Sequence, residues 1–462
     1  MQNKVISYTK LHKVPMVLVL LSLVFYFVFA YHLPRTDFIK LLTLFGGLFF
    51  LCFKLIQFEK WNYKFLLIAG ILFRFIFILA EPNLSQDYYR FIWDGELVSN
   101  FINPYVSLPD TLIEQKDLVI ANAKELYNGM GALSARHYSN YPPMNQLLFA
   151  LSAFLGGKSI LGTTIVMRII IILADLGIFY FGRKLLRNLN QSPHLIFWYF
   201  LNPLVLVELT LNLHFEGVML FFFLWAMYLL SVKKWITAAI PYALAILVKL
   251  VPLIFLPLFL KYLGIKKSII FYLVIGCVSV LLLLPFYSSE FINNYSETVG
   301  LWFSNFEFNA GLYNLIEKIA IYYDQKPWEF IKSYGKIVPY LTISIVFIFA
   351  ILKVDKQLKN LLVAMLWVLS IYYFMSTTIH PWYIIFLLPL CIFTDFRFPI
   401  IWSAMVVLSY FAYSQTDFKE NLWLLAIEYI SVISFMCYEI IKLNKQKPFF
   451  RKNRATNVVN SI

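Results

Sequence analysis

Apolar runs that approach the length of a membrane span recur along almost the whole chain. A spanning helix requires about 20 predominantly apolar residues. Short polar or basic segments separate twelve candidate runs, and this pattern predicts an all-α polytopic membrane protein. The candidates are residues 14–33, 38–57, 63–80, 160–183, 194–211, 213–232, 267–287, 335–353, 358–379, 381–396, 399–415 and 421–443.

Two further apolar segments do not fit a single straight span. Residues 142–157 are short, and three prolines interrupt residues 235–262. Non-helical backbone at membrane depth is tolerated only where it faces protein or a water-filled cavity. We therefore expect a half-helix at 142–157, two short arms of 235–262 that meet near Lys249, and a cavity beside them. The alternative is an ordinary bundle in which the prolines are packing kinks.

The basic residues predict the orientation of the chain in the membrane. They cluster in the N-terminal segment, in the short segments between apolar runs such as 183–187, and in the C-terminal tail 442–454. Basic loops are retained on the cytoplasmic side. This rule leaves 81–141 and 288–334 as external loops.

Composition supports the membrane class and argues against nucleic-acid binding. The chain is 61% hydrophobic and 14% charged, whereas soluble domains are about 45–50% apolar and about 25% charged. The net charge of +14 comes from residues that cluster between spans and at the termini, so no nucleic-acid partner is expected. All four cysteines lie in apolar runs, which argues against a disulfide framework or a thiolate metal site.

The segment "LSQDYYRFIWDGELVSNFINPY", residues 84–105, stands where the third run leaves the bilayer. Ser85 can cap a helix start, with Leu84 as its hydrophobic staple. The helix is expected to continue to about Ile102, because the residue before Pro104 disfavours helical backbone. Its aromatic side predicts an amphipathic helix that lies at the membrane surface.

Within this helix, Asp87, Arg90 and Asp94 share one face. Arg90 and Asp94 could form an ordinary ion pair on a solvated face. That interpretation leaves Asp87 unexplained at the point where the chain leaves the bilayer. A carboxylate there can act as a general base, with Asp94 as the other catalytic candidate and Arg90 as a supporting residue.

Several polar residues in or beside the spans are expected at the same outer side. Charged groups facing lipid cost about 2.5–3.5 kcal/mol on insertion scales, so they indicate a protein-lined site. The candidates for substrate binding are Arg74, Arg90, His214, Glu216, Lys249, His380 and Tyr383.

Individual roles follow from the expected positions of these residues. Lys249, at the break between two arms, is the candidate for binding an anion such as a phosphate. His214 and Glu216 are expected on the acceptor side, with Glu216 holding the His214 ring in one tautomer. Arg74 could instead extend to the interface, and His214 and Glu216 could be interfacial residues without a task. Arg168 and Asp175 are expected to pair with neighbours inside the bundle.

The string "SQDYYRFIWDG…NPY" resembles the first external loop of superfamily C (GT-C) membrane glycosyltransferases. It is most similar to the family-87-type mannosyltransferases, relatives of the enzyme that adds the first mannose to GPI anchors. Further segments agree in order, from about residue 70 to about residue 395. They are "YPPMNQLLFAL", "LNPLVLVELTLNLHFEG", "LAILVKLVPLIFLPLFL", "FNAGLYNL" and "HPWYIIFLLPL".

This resemblance implies a bundle of about 12–14 transmembrane helices with external amphipathic loop helices and broken half-helices. It implies a domain at 63–415, preceded by a two-span addition at 1–62 and followed by a last span and basic cytoplasmic tail at 416–462. Gln86 precedes Asp87 where the family often has a second acid, so no divalent metal or other cofactor is predicted.

The resemblance also implies the reaction and the partners. The donor would be a polyprenyl-phosphate sugar, usually mannose, transferred with inversion, and Asp87 would be the base. The partners would be membrane lipid, that donor, and a glycan, lipid or protein acceptor. The protein would lie in a bacterial inner membrane with its active site facing the periplasm. The alternatives are a sugar or lipid transporter or flippase, and a GT-C-type glycan ligase or polymerase.

The expected orientation can be tested by cysteine accessibility. Asp87→Cys and His380→Cys, each in a background without the four native cysteines, should react with a membrane-impermeant thiol reagent added outside the cell. Labelling of both positions only from the cytoplasmic side would show that the orientation is inverted.

Overall fold

The computed structural model describes residues 11–304, 306–324 and 326–446. Lys4, Lys10 and most of the basic C-terminal segment lie outside the described residues. Within these ranges the chain is helical, apart from turns, loops and an isolated bridge between Phe308 and Thr378. The prediction of an all-α polytopic membrane protein is confirmed.

Seven of the described helices are long and apolar enough to cross a membrane, which is fewer than the 12–14 expected. They are Lys13–His32, Phe38–Phe58, Ile160–Asn188, Ile265–Phe286, Pro327–Leu352, Leu358–Met375 and Leu422–Lys445. The pair Pro193–Phe200 and Pro203–Leu211, bent by 52°, could form an eighth. The difference arises because many predicted runs are broken by turns.

The remaining helices are shorter. Six are apolar: Pro143–Leu155, Glu216–Ser231, Trp235–Val248, Val251–Leu263, Pro381–Ile392 and Phe398–Ser414. The others are Tyr63–Phe75, Asp87–Ser99, Pro109–Leu112, Ala123–Ala135, Phe291–Ser304 and Gly311–Tyr322. The run 63–80 is thus not a full span, because regular helix ends at Phe75 and a series of turns continues to Ala80.

The two broken segments have the form that their prolines predict. Helix Pro143–Leu155 is only 13 residues long. Helix Trp235–Val248 ends where Lys249 adopts extended backbone, with φ −146° and ψ 135°. Beyond this break the chain folds back, since the rings of Tyr242 and Phe259 lie 5.1 Å apart, whereas a straight helix would separate them by about 25 Å.

A single large hydrophobic core joins the first helices to the last ones. It contains Tyr26 and Leu41 from the N-terminal pair of helices and Val432 from the C-terminal helix. The N-terminal pair therefore packs directly on the rest of the bundle. The division of the chain at residues 62 and 415 stays a prediction.

Arg168 connects two places where helical backbone is interrupted. Its fully buried guanidinium donates from Nη1 to the Ile78 carbonyl and from Nη2 to the Ala80 carbonyl, both at 2.8 Å. It also donates to the carbonyls of Thr210 at 2.8 Å and Leu211 at 3.2 Å. Carbonyls at helix ends lack partners within their own helix, and one guanidinium satisfies four of them here.

A second buried ion pair lies in the same region of the bundle. Arg74 Nε donates to Asp175 Oδ2 at 2.9 Å, and the Tyr199 hydroxyl donates to Asp175 Oδ1 at 3.0 Å. Arg74 and Asp175 are both fully buried. The expectation that Arg168 and Asp175 pair with neighbours is confirmed.

Arg168→Met should strongly lower the apparent melting temperature in detergent, because it leaves four buried carbonyls without donors. Each unsatisfied buried group costs about 1–3 kcal/mol. Arg187→Met is the matched control, since Arg187 is exposed on the same helix and should change stability by no more than about 0.5 kcal/mol. Equal melting temperatures for the two variants would contradict this role of Arg168.

Candidate active site

The helix Asp87–Ser99, here called the motif helix, begins and ends differently from the expectation. It starts at Asp87, and Ser85 Oγ accepts from the Asp87 amide at 3.3 Å without being the N-cap residue. It ends at Ser99, before Ile102, because Phe101 adopts left-handed backbone with φ 60°. The turn that closes the helix therefore precedes Pro104 by several residues.

The motif helix is buried inside the protein, so the prediction of a helix lying at the membrane surface is wrong. Tyr88, Phe91, Trp93 and Leu97 are all buried. Its most extensive packing is against helix Pro143–Leu155. At Gly95 a side chain would begin only 2.4 Å from the Phe149 carbonyl oxygen, so a glycine is required for the two backbones to approach.

Asp94 is fully buried and both of its carboxylate oxygens are occupied. Oδ1 accepts from Arg90 Nε at 2.7 Å, and Oδ2 accepts from Ser139 Oγ at 2.6 Å and Gln146 Nε2 at 3.1 Å. Arg90 Nη1 also donates to the backbone carbonyls of Ser134 and His137, at the end of helix Ala123–Ala135. The pair is therefore not on a solvated face, and its charges are compensated inside the protein.

Asp87 differs from Asp94 in being partly exposed. Within the described part of the chain, its carboxylate accepts no hydrogen bond and forms no ion pair within 4.0 Å. Its charge acts on the hydroxyl groups of Tyr141, Tyr383 and Tyr413. The first turn of a helix is a favourable place for a carboxylate, and the partial exposure of Asp87 leaves its side chain accessible.

Lys249 and Glu216 form an ion pair beside Tyr141, one of the tyrosines on which the charge of Asp87 acts. Lys249 Nζ lies 2.9 Å from Glu216 Oε1 and 5.6 Å from the centre of the Tyr141 ring. The Lys249 side chain is 22% exposed, so it remains accessible. The break in the helix at Lys249 is what places this ammonium next to Glu216.

Glu208 holds the His214 ring, and the prediction that Glu216 does so is wrong. His214 Nδ1 lies 3.0 Å from the Glu208 carbonyl oxygen and 3.2 Å from Glu208 Oε2. The Tyr410 hydroxyl donates to the other carboxylate oxygen at 2.5 Å. Glu208 lies in a widened, π-helical turn, Leu206–Leu211, which positions it against His214. Glu216 is directed to Lys249 instead.

Trp382 lies between the two candidate histidines. Its ring centre is 3.8 Å from that of His214 and 4.4 Å from that of His380, with interplanar angles of 18° and 3°. His214 Nε2 and His380 Nδ1 are buried, and neither has a hydrogen-bond partner in the described structure. Tyr383 meets the His380 ring edge-on at 5.4 Å.

His380 is neutral in this environment. Although part of its surface remains accessible, burial and the nearby charges of His214, Arg35 and Lys249 lower the pKa of His380 to about 3. A neutral imidazole can donate or accept a hydrogen bond. It does not supply a positive charge at physiological pH.

Arg74 lies apart from these residues, so its predicted substrate-binding role is corrected. Its side chain has no exposed surface, and it donates to Asp175 and to the carbonyls of Gly70 and Phe200. The sequence signal was a charge near the end of an apolar run, which does not distinguish an internal ion pair from a site residue.

The structure adds residues that the sequence did not single out for a role. Glu208 was recognisable as an acid inside an apolar run, and Tyr141 and Trp382 stand within the quoted motifs. Arg35 follows the first apolar run, and its guanidinium carbon lies 3.4 Å above the ring centre of Tyr413. Among the described residues, no three His, Cys, Asp or Glu side chains are grouped so as to hold a metal ion.

Fold and site together define a multi-pass membrane protein with a partly exposed carboxylate that is surrounded by tyrosines and lies in the same region as the Lys249–Glu216 ion pair. The sequence profile of the MptA_B family, described as alpha-(1->6)-mannopyranosyltransferase, N-terminal domain, matches residues 25–263. The chain belongs to this mannosyltransferase family, and the match covers more than half of it. No curated protein sequence matches the chain.

Family membership confirms the resemblance to GT-C mannosyltransferases and supports mannosyl transfer as the activity. The more specific likeness to the family-87-type enzymes stays a prediction. The family match begins within the first helix and ends at the second arm of the broken segment. It therefore includes Arg35, Asp87, His214, Glu216 and Lys249.

Glu208 and His214 should behave as one unit in kinetics. Glu208→Gln and His214→Ala should each reduce turnover, and their effects should be non-additive by roughly 0.5–3 kcal/mol. Glu216→Gln is the control, and its effect should add to that of His214→Ala within about 0.5 kcal/mol. Coupling of His214 to Glu216 rather than to Glu208 would contradict the geometry.

Proposed function

We propose that the protein transfers a mannosyl residue from a polyprenyl-phosphate donor to a hydroxyl group of an acceptor at the outer face of the membrane. The observation that carries the proposal is Asp87, a partly exposed carboxylate without an ion-pair partner among the described residues. It lies in a protein of a mannosyltransferase family, where an acceptor hydroxyl must lose a proton during transfer.

In this mechanism Asp87 is the general base. Its carboxylate takes the proton of the acceptor hydroxyl while the hydroxyl oxygen bonds to the anomeric carbon of the donor. The bond from that carbon to the phosphate oxygen breaks, and polyprenyl phosphate leaves with the electron pair. Phosphate is a good leaving group, so no general acid is required. One displacement inverts the anomeric carbon, and an α-linked product then requires a β-linked donor.

The other side chains of the site have roles in substrate binding. The Lys249–Glu216 pair offers both a hydrogen-bond donor and an acceptor, which suits sugar hydroxyls. The Lys249 ammonium is also proposed to contact the donor phosphate. His214, His380 and Tyr383 contribute polar contacts on the acceptor side. Asp94 and Arg90 act indirectly, because their buried network fixes the helix that carries Asp87.

The acceptor is a glycan, a lipid or a protein of the cell envelope that carries sugar. The 1→6 linkage in the family description favours the primary hydroxyl of a hexose as the attacking group. Location in a bacterial inner membrane, with the site facing the periplasm, belongs to the same proposal. Family membership favours transfer over transport, flipping, ligation or polymerisation.

The reaction can be tested with purified protein. Polyprenyl-phosphate [³H]mannose and a panel of mannosyl acceptors should give a labelled product in which mannose is α-linked to a 6-hydroxyl. Acceptors methylated at that hydroxyl serve as the control and should remain unlabelled. Transfer from a nucleotide sugar, with none from the lipid-linked donor, would reject the proposed donor class.

Asp87→Asn should reduce turnover by about 10²–10⁴, the usual contribution of general-base catalysis. Donor binding and the apparent melting temperature should stay close to those of the wild type. Glu125→Gln is a suitable control, because Glu125 is an exposed acid in the first turn of a neighbouring helix.

The variant Asp94→Asn distinguishes the role of Asp94 from that of Asp87. It should lower the apparent melting temperature, because Arg90 loses its buried partner. Wild-type turnover in Asp87→Asn, combined with abolished turnover in a folded Asp94→Asn, would assign the base to Asp94.

A further inference from the structure

Arg35 lies in the short connection between helices Lys13–His32 and Phe38–Phe58. This connection is held in place by the segment that leads into the motif helix. Asn83 Nδ2 donates to the Phe29 carbonyl at 2.7 Å and to the Leu33 carbonyl at 3.1 Å. The position of Arg35 is thus tied to the same piece of chain that positions Asp87.

The guanidinium of Arg35 faces the residues of the candidate site. Its central carbon lies 3.4 Å above the ring of Tyr413. Its charge acts on His380 and Tyr410, and the charges of Arg35 and Asp87 both act on Tyr413. A cation from the connection between the two N-terminal helices therefore acts on Tyr413, the same residue on which the proposed base Asp87 acts.

Arg35 is the cation of this site whose charge is least compensated. Lys249 is paired with Glu216 at 2.9 Å, and His380 is neutral. Arg35, in contrast, has no carboxylate oxygen within 4.0 Å in the described ranges. Its Nε is also buried and lacks a hydrogen-bond acceptor there. Most buried polar groups have partners, so this nitrogen can still take an acceptor, and the surroundings of Arg35 decide which acceptor that is.

We propose that Arg35 binds the phosphate of the lipid-linked donor and stabilises it as it leaves. A guanidinium presents its N–H groups in a planar fork that matches two phosphate oxygens. The guanidinium is held against the Tyr413 ring, and its unpartnered Nε is available to a phosphate oxygen. The inference rests on the proposed function, and it makes the N-terminal helices part of the active site.

A direct contact between Arg35 and the donor phosphate can be distinguished from other roles of its charge in the site. If Arg35 contacts the phosphate, the loss should appear both in the affinity for the donor and in the affinity for polyprenyl phosphate without a sugar. A contact to the acceptor would instead change the acceptor KM and leave inhibition by polyprenyl phosphate unaltered.

The test compares two arginines in similar local surroundings. Arg183 also stacks on a tyrosine, with its guanidinium carbon 3.7 Å from the Tyr63 ring centre, and its Nε is likewise buried without an acceptor. Its surroundings contain His194, Lys60 and Arg187 rather than the site residues. Arg183→Met therefore matches Arg35→Met in bulk, stacking and lost charge.

Arg35→Met should raise the donor KM and the inhibition constant of polyprenyl phosphate by roughly 10- to 150-fold, the effect of losing a charge-assisted hydrogen bond. Arg35→Lys should recover only part of this loss, because lysine has no planar fork. Arg183→Met should leave both constants unchanged, and Lys249→Met should have a smaller effect on the inhibition constant than Arg35→Met.

The outcomes separate this inference from the proposed function. Wild-type protein that neither uses the lipid-linked donor nor binds polyprenyl phosphate would reject the proposed function. Active protein in which Arg35→Met leaves both constants unchanged would overturn the inference alone. A lowered melting temperature in both Arg35 variants, with unchanged inhibition by polyprenyl phosphate, would likewise assign Arg35 to structure.

Discussion

The site depends on the contact between the buried guanidinium of Arg168 and four backbone carbonyls. Two of them, from Ile78 and Ala80, belong to the turns that lead to the motif helix. The other two, from Thr210 and Leu211, precede the segment that carries His214 and Glu216. Non-helical backbone inside a membrane bundle needs internal partners. Arg168 supplies them, and so the chain can place Asp87 and His214 at the ends of broken helices.

A second connection strengthens this arrangement. Asn212 Oδ1 accepts a hydrogen bond from the Leu84 amide at 3.1 Å, which links the two interrupted segments directly. Most charges near them are compensated in pairs: Arg74 with Asp175, Arg90 with Asp94, and Lys249 with Glu216. Buried charges are tolerated only with such partners. Against this background, Asp87 and Arg35 are distinguished by having no ion-pair partner in the described ranges.

The sequence predicted the fold class and several local features correctly, because each rests on chemistry that is visible over a short window. Apolar run length identified a polytopic helical protein, and the prolines around Lys249 identified the break in that helix. Asp87 could be separated from Arg90 and Asp94, because an i,i+4 pair accounts for the latter two. The span count was too high, since run length does not reveal where a helix such as Tyr63–Phe75 stops short.

By itself, the sequence determined that the chain forms a helical membrane protein, that its helices break at particular prolines, and that its acids and aromatics concentrate in residues 84–105. These properties follow from local hydrophobicity and backbone preference. Only the tertiary structure decided which charges pair: Glu208 rather than Glu216 contacts His214, and Arg74 pairs with Asp175. It also decided that the motif helix is buried. Pairing depends on distances between residues that can be far apart in the chain, such as Arg74 and Asp175, which are 101 positions apart. Local sequence patterns carry no information about such distances.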